Sequence, residues 1–154
     1  MKQATLCIPI KENKILLGNK KRGFGKNKLN GFGGKINPGE TIEEAVIREI
    51  YEEISLKPAL SDLKKVAELN FIFPSAMKFN QTVHVFLINS WQGNPQESEE
   101  MTFEWHEIEK IPFERMWAED RYWLPLVLAG KKLKANFTFD NDNKTIKTRE
   151  IMEL

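Results

Sequence analysis

Glu49, Glu52 and Glu53 stand at positions i, i+3 and i+4. On a helix turning roughly 100° per residue they share one face. Three like charges so placed repel one another and cost stability unless something positive sits among them. A hard cation such as Mg²⁺ fits: it prefers carboxylate oxygens, keeps several waters and takes substrate phosphates as further ligands. A metal held there polarises phosphoryl oxygens and helps generate hydroxide from bound water. Arg48, next in sequence, is able to hold a carboxylate through paired N–H donors. Taken alone, three glutamates more often mean a solvated acidic face, so the surrounding segment decides.

That segment must be a helix. Thr41 with Glu44 three residues on forms a capping box, opening a helix of about 14 residues. It should end near Ser55, because Pro58 lies just beyond. Val46, Ile47, Ile50 and Ile54 form an apolar stripe on a different face from the glutamates, and Ala45 among the acids adds no bulk. Upstream, residues 18–40 hold seven of the nine glycines, which implies unusual backbone angles or something approaching the backbone closely.

Residues 4–10 and 15–17 read as strands joined by a turn at Glu12-Asn13. Residues 66–73, 82–90 and 102–106 read as further strands, with a polar loop over 92–100. A second helix is expected over 120–129, buried through Tyr122, Trp123, Leu126 and Val127. Residues 136–139 and 145–151 read as a closing hairpin. Strands mixed with two helices predict an α/β or α+β sandwich.

At 154 residues the chain suits a single domain spanning 1–154. Its net charge of +1 gives no global pull toward nucleic acid or an anionic membrane, so any phosphate binding must be local. Cys7 is the sole cysteine, so no internal disulfide forms and a cysteine zinc site is not expected. No segment approaches the roughly 20 apolar residues of a membrane span, and residues 1–10 lack a signal-peptide core. The cytoplasm is the expected location.

The segment from Gly34 to Leu56 resembles the Nudix box, G-x5-E-x7-R-E-U-x-E-E-x-G-U with U apolar. Gly34, Glu40, Arg48, Glu49, Ile50, Glu52, Glu53 and Leu56 match; Ser55 stands where that family has the glycine that ends the helix. The resemblance implies a Nudix α/β/α sandwich around a mixed central sheet. It implies hydrolysis at phosphorus with Mg²⁺, or Mn²⁺ in its place. Carried over, Glu49, Glu52 and Glu53 ligate the metal, and Glu53 also orients or deprotonates the attacking water. Glu40 braces the loop, Arg48 holds the glutamates, and the Gly34 carbonyl and Glu100 are further candidate ligands. Glu97, Glu99 and Glu100 together also fit a solvated acidic loop.

Further stretches, among them Lys20-Lys21-Arg22-Gly23-Phe24-Gly25, Leu29 to Lys35 and Met116-Trp117, are similar to the mammalian-type oxidised purine nucleoside triphosphatases (8-oxo-dGTP diphosphatases) of that family. A purine site needs an apolar slot with a few orienting polar groups. Phe24, Phe71, Phe73, Trp117, Trp123 and Phe139 are able to supply the slot. By resemblance, Asn30, Glu119 and Asp120 read the base edge, while Thr5 and Lys20 line the pocket. Adjacent acids in a partly dry site have raised or split pKa values, and a protonated carboxyl donates as well as accepts. Two departures bear on preference: Glu119 replaces an aspartate and Leu29 a tryptophan. The basic residues Lys20, Lys21, Arg22, Lys26 and Lys28 either attract a triphosphate or form a solvated loop face. His84, inside an apolar run, reads as a satisfied sheet histidine.

The expected reaction turns a modified purine (deoxy)nucleoside triphosphate into monophosphate and pyrophosphate, which cleanses the nucleotide pool. The partner is a small nucleotide, with no stable nucleic acid complex, no membrane and a monomeric chain. Two alternatives stand beside it. One is a Nudix hydrolase for a dinucleotide or a cap-like substrate. The other is a non-catalytic nucleotide-binding module, which the intact Glu49, Glu52 and Glu53 disfavour.

Overall fold

Side chains along β1 (Lys2–Lys11) alternate between two cores, as a strand's period of two dictates. Cys7 packs with Val46, Ile50 and Ile54 of helix α1 (Ile42–Ile54), together with Phe32 and Phe86. Ala4 and Ile8 pack on the other face, with Trp123, Leu124 and Val127 of helix α2 (Asp120–Leu128). The computed structural model describes residues 1–154. It has two α-helices on opposite faces of a mixed sheet, the α+β sandwich expected.

Strand β1 lies parallel to β5 (Gln81–Ile88), and β5 antiparallel to β4 (Lys64–Ile72). Strand β4 then runs parallel to β7 (Leu133–Phe139), which closes an antiparallel hairpin with β8 (Ile146–Glu153). At the other edge β2 (Lys14–Lys20) pairs with the end of β1, with β6 (Met101–Glu107) and with the two-residue β3 (Leu29–Asn30). Strand β3 was invisible in sequence because two residues inside a glycine-rich run carry no periodicity. No helix is long and apolar enough to cross a membrane.

The capping box forms as read: Glu44 N donates to Thr41 Oγ1 at 3.1 Å, and Thr41 N to Glu44 Oε1 at 3.1 Å. Three packing expectations need correction. Ile47 is only half-buried, and Leu56 just past the helix takes the place it was given in the core. In α2, Tyr122 and Leu126 are half-buried rather than core, while Leu124 is fully enclosed. A short helix laid on the sheet buries a narrow stripe, and Tyr122 instead lies under the Arg149 guanidinium at 4.1 Å.

Ser55 ends α1 in the left-handed region, with φ of 65° and its N–H donating to Tyr51 O. The helix stop of the Nudix box is thus kept without its glycine, at the steric cost of a Cβ there. Ser55→Gly should therefore stabilise the chain by about 1 kcal/mol, read as a higher denaturant midpoint. An unchanged or lower midpoint contradicts this account of the cap.

Candidate active site

The loop between β3 and α1 is fastened onto β1. Thr5 N donates to Gly34 O at 2.9 Å, and Cys7 and Phe32 exchange backbone hydrogen bonds at 2.6 and 2.8 Å. This explains two glycines. A Cβ on Gly33 would collide with the Thr5 carbonyl, and one on Gly34 would lie 2.7 Å from Glu49 Oε1. Close approach, rather than a special φ, is what glycine supplies here.

With the backbone so near, α1 sets its acids against the loop. Gly33 N donates to Glu53 Oε1 at 2.9 Å. Burial lifts the Glu53 carboxyl to about 8, aided by the charges of Glu49 and Glu100 and opposed by the Gly33 N–H and Lys20. Arg48 grips Glu40 through two N–H donors at 2.7 and 2.9 Å, and reaches Glu49 at 2.9 Å and Lys35 O at 3.0 Å. Its guanidinium holds the Glu40 carboxyl down to about 2. Arg48 therefore ties the loop to the helix while neutralising part of the acid face.

Glu49, Glu52, Glu53 and Glu100 share a cavity of about 360 Å³ with Lys20 and Arg22. Glu100 arrives from the loop before β6. That loop is held by Lys21, whose Nζ donates to Ser98 O at 2.7 Å and whose N donates to Glu100 O at 2.9 Å. No three acidic, histidine or cysteine side chains converge tightly enough to enclose a cation as they stand. Glu52 instead leans toward Arg48 at 3.4 Å and is exposed. The Gly34 carbonyl accepts from both Thr5 N at 2.9 Å and Thr5 Oγ1 at 3.4 Å.

A second cavity, of about 530 Å³, adjoins the first and shares Lys20, Gly33, Gly34, Glu53 and Met101 with it. Thr5, Phe24, Asn30, Phe71, Phe73, Trp117, Glu119, Asp120, Trp123 and Phe139 all line it. Phe73 and Phe139 stack with centroids 4.7 Å apart, and Phe24 stacks on Trp117 at 5.3 Å while remaining 85 % exposed. At the base of the slot Asp120 accepts from Trp123 Nε1 at 3.1 Å and from Trp117 N at 3.2 Å. Burial lifts Glu119 to about 7 against the pull of Lys28. Burial also raises Asp120, with Glu119's charge adding to it. Two adjacent enclosed carboxyls thus hold their protons more tightly than ordinary carboxyls do.

The basic stretch divides. Lys20 and Arg22 face the acids, Lys26 and Lys28 line the aromatic cavity, and Lys21 secures the Glu100 loop. Leu29 is wholly buried in the core and lines neither cavity. His84 lies in the sheet, bonded to Lys65 at 2.9 Å and Gln3 at 2.7 Å. Gln81, Asn143 and Lys144 also line the aromatic cavity and were missed in sequence.

Comparison with known proteins gives the family and the fold. The family described as NUDIX domain matches residues 1–127. The oxidized purine nucleoside triphosphate hydrolase of Danio rerio is 44 % identical over 138 residues, covering 90 % of this chain and 86 % of its own. The protein of that name from Mus musculus is 41 % identical over 150 residues, covering 97 % and 94 %. A MutT protein from Bacillus halodurans shares the fold, with a TM-score of 0.83 at 21 % identity over 98 % of this chain and 97 % of its own.

Proposed function

The chain belongs to the NUDIX domain family, and from that premise we propose that it hydrolyses oxidised or otherwise modified purine nucleoside triphosphates to monophosphate and pyrophosphate. The observation that carries this reading is the shared wall of the two cavities. A carboxylate-lined chamber adjoins an aromatic slot that holds two buried acids, with Glu53 and Lys20 on the wall of both. A nucleotide laid along them has its phosphates at Glu53 and its base between the aromatics.

Nudix hydrolases use divalent cations, and the donor set fits one. Glu49 and Glu100 both oppose ionisation of Glu53, a repulsion that a cation relieves. Glu49, Glu52 and Glu53 would hold Mg²⁺, with Mn²⁺ as a substitute. Glu100 joins them from its loop, and the Gly34 carbonyl joins only if it releases Thr5 Oγ1. When bound, the ion supplies Lewis acidity to the phosphoryl oxygens.

The chain's own groups do the rest. Glu53, enclosed and held at one oxygen by Gly33 N–H, keeps its other oxygen to orient the attacking water and accept its proton. Arg48 and Glu40 are positioning residues that fix the helix against the loop. Lys20 and Arg22 offer positive charge to the phosphates. The aromatic slot excludes water from the base, while Asn30, Glu119 and Asp120 read its edge.

The test is product analysis with Mg²⁺ on a panel of 8-oxo-dGTP, 2-hydroxy-dATP, an N6-methylated dATP, the normal dNTPs and a dinucleoside polyphosphate. Monophosphate plus pyrophosphate from a modified purine triphosphate is expected. Turnover of the dinucleoside polyphosphate alone would mean that the aromatic slot is not a purine triphosphate site.

A further inference from the structure

Glu100 stands on the wall of the acidic cavity, yet it belongs to no helix or strand. It ends the stretch between β5 and β6, just after the exposed Glu97 and Glu99. Three more acids, Glu49, Glu52 and Glu53, share that cavity with it. Glu100 and Glu49 both oppose ionisation of Glu53, so these carboxylates repel one another. A loop has no ladder of its own to resist such repulsion, and something must hold this acid beside the other three.

Three fastenings do so. Gln96 N donates to Ile54 O at 2.9 Å, which hangs the loop from the last turn of α1. Ser98 then shapes the turn that leads through Glu100 into β6. Its N donates to Met101 O at 3.0 Å, and its Oγ accepts from Met101 N at 3.1 Å and from Glu100 N at 3.3 Å. Lys21 closes the far side, with Nζ donating to Ser98 O at 2.7 Å and N donating to Glu100 O at 2.9 Å. Lys20 and Arg22, on either side of it, line the acidic cavity, while Lys21 does not. An exposed lysine ordinarily extends into water; this one is committed to a carbonyl of the loop.

The Ser98 hydroxyl and the Lys21 ammonium thus converge on the backbone from which the Glu100 carboxylate projects. Groups that orient a metal ligand without touching the ion change metal affinity tenfold or more when they are removed. Resting on the reading of the acidic cavity as a divalent-cation site with Glu100 among its ligands, we propose that Ser98 and Lys21 are positioning residues that set its cation affinity by holding Glu100 on the cavity wall. Charge alone gives the opposite sign for Lys21. Deleting a positive group near a cation site strengthens cation binding, whereas deleting the fastening weakens it.

The experiment is Mn²⁺ titration without nucleotide, read from the free-ion electron paramagnetic resonance signal. The proteins are the wild type, Glu100→Gln, Ser98→Ala, Ser98→Thr, Lys21→Met and Lys21→Arg, and thermal melts verify that each folds. Ser98→Ala and Lys21→Met should each raise the Kd for Mn²⁺ about tenfold. Ser98→Thr keeps the hydroxyl and Lys21→Arg keeps an N–H donor, so both should stay close to the wild type. Added to Glu100→Gln, neither Ser98→Ala nor Lys21→Met should weaken binding further, because both act through Glu100. Wild-type affinity in Ser98→Ala or in Lys21→Met, or a full further loss on top of Glu100→Gln, overturns the proposal. Wild-type affinity in Glu100→Gln would instead remove Glu100 from the ligands, and the proposal would fall with that reading.

Discussion

Glu53→Gln should leave the fold intact while lowering kcat about a thousandfold, the share a positioned general base contributes. The amide keeps an oxygen for the Gly33 N–H, so the loop stays fastened, but it cannot take a proton from water. The same substitution should raise stability in metal-free buffer at high pH. The Glu53 carboxyl is held up to about 8 in the folded chain, against an ordinary value of 4.5. Below its ordinary value it is neutral whether folded or unfolded, and the favourable contribution of the protonated form is fully present. As pH rises, the unfolded chain ionises first, so stability is lost progressively until the folded group ionises near 8. Glutamine does not titrate. The variant should therefore exceed the wild type by a few kcal/mol at about pH 9, and the gap should close below about pH 5. Denaturant unfolding at the two pH values reads this directly. A variant that keeps full kcat, or shows no pH-dependent gap, contradicts the placement of Glu53 as an enclosed base beside like charges.

The second large effect belongs to the acid pair. Glu119 is held up to about 7 by burial, so it passes from donor to acceptor close to neutrality. If its protonated form reads the base, KM for 8-oxo-dGTP should be lowest below about pH 7 and rise above it. Glu119→Gln stays a donor at every pH and should flatten that limb. Asp120→Asn disturbs more. Both carboxylate oxygens accept N–H groups, from Trp123 and Trp117, and an amide leaves one of these donors facing another. A fall of about a hundredfold in kcat/KM for the modified purine is expected, the cost of a buried donor left unpaired. Profiles of kcat/KM against pH for wild type and both variants check this. A limb that persists in Glu119→Gln, with selectivity unchanged in Asp120→Asn, would show that the pair does not read the base.

Much of this site was legible because its information is local. Thr41 with Glu44, and Glu49 with Glu52 and Glu53, are spacings that a single helix converts into a cap and an acidic face. The pairing of Arg48 with Glu40 spans only eight residues, most of them in the first turns of the helix, and the box motif carried it. The aromatic slot came from resemblance: Phe71, Phe73, Trp117 and Phe139 lie on three separate segments, and nothing in their spacing brings them together. What stayed hidden depends on long-range register. Glu53 is unusual because Gly33 folds back along β1 and covers it, a contact set by the Cys7–Phe32 pairing. Asn143 borders the slot only because the β7–β8 hairpin places its turn beside Ser75. Ser55 illustrates the reverse: the missing glycine put the helix end in question, and the backbone adopts the left-handed cap regardless.

The central claim is that two cavities sharing a wall at Glu53 join phosphorus chemistry there to recognition of a modified purine at Glu119 and Asp120. The most direct measurement is the ratio of kcat/KM for 8-oxo-dGTP over dGTP, with Mg²⁺ present, in the wild type, Glu53→Gln and Glu119→Gln. The account predicts a ratio far above one in the wild type, both rates lost together in Glu53→Gln, and a changed ratio in Glu119→Gln. A wild-type ratio near one, with pyrophosphate still released, would mean that the slot does not select modified purines and would leave only the phosphorus chemistry standing.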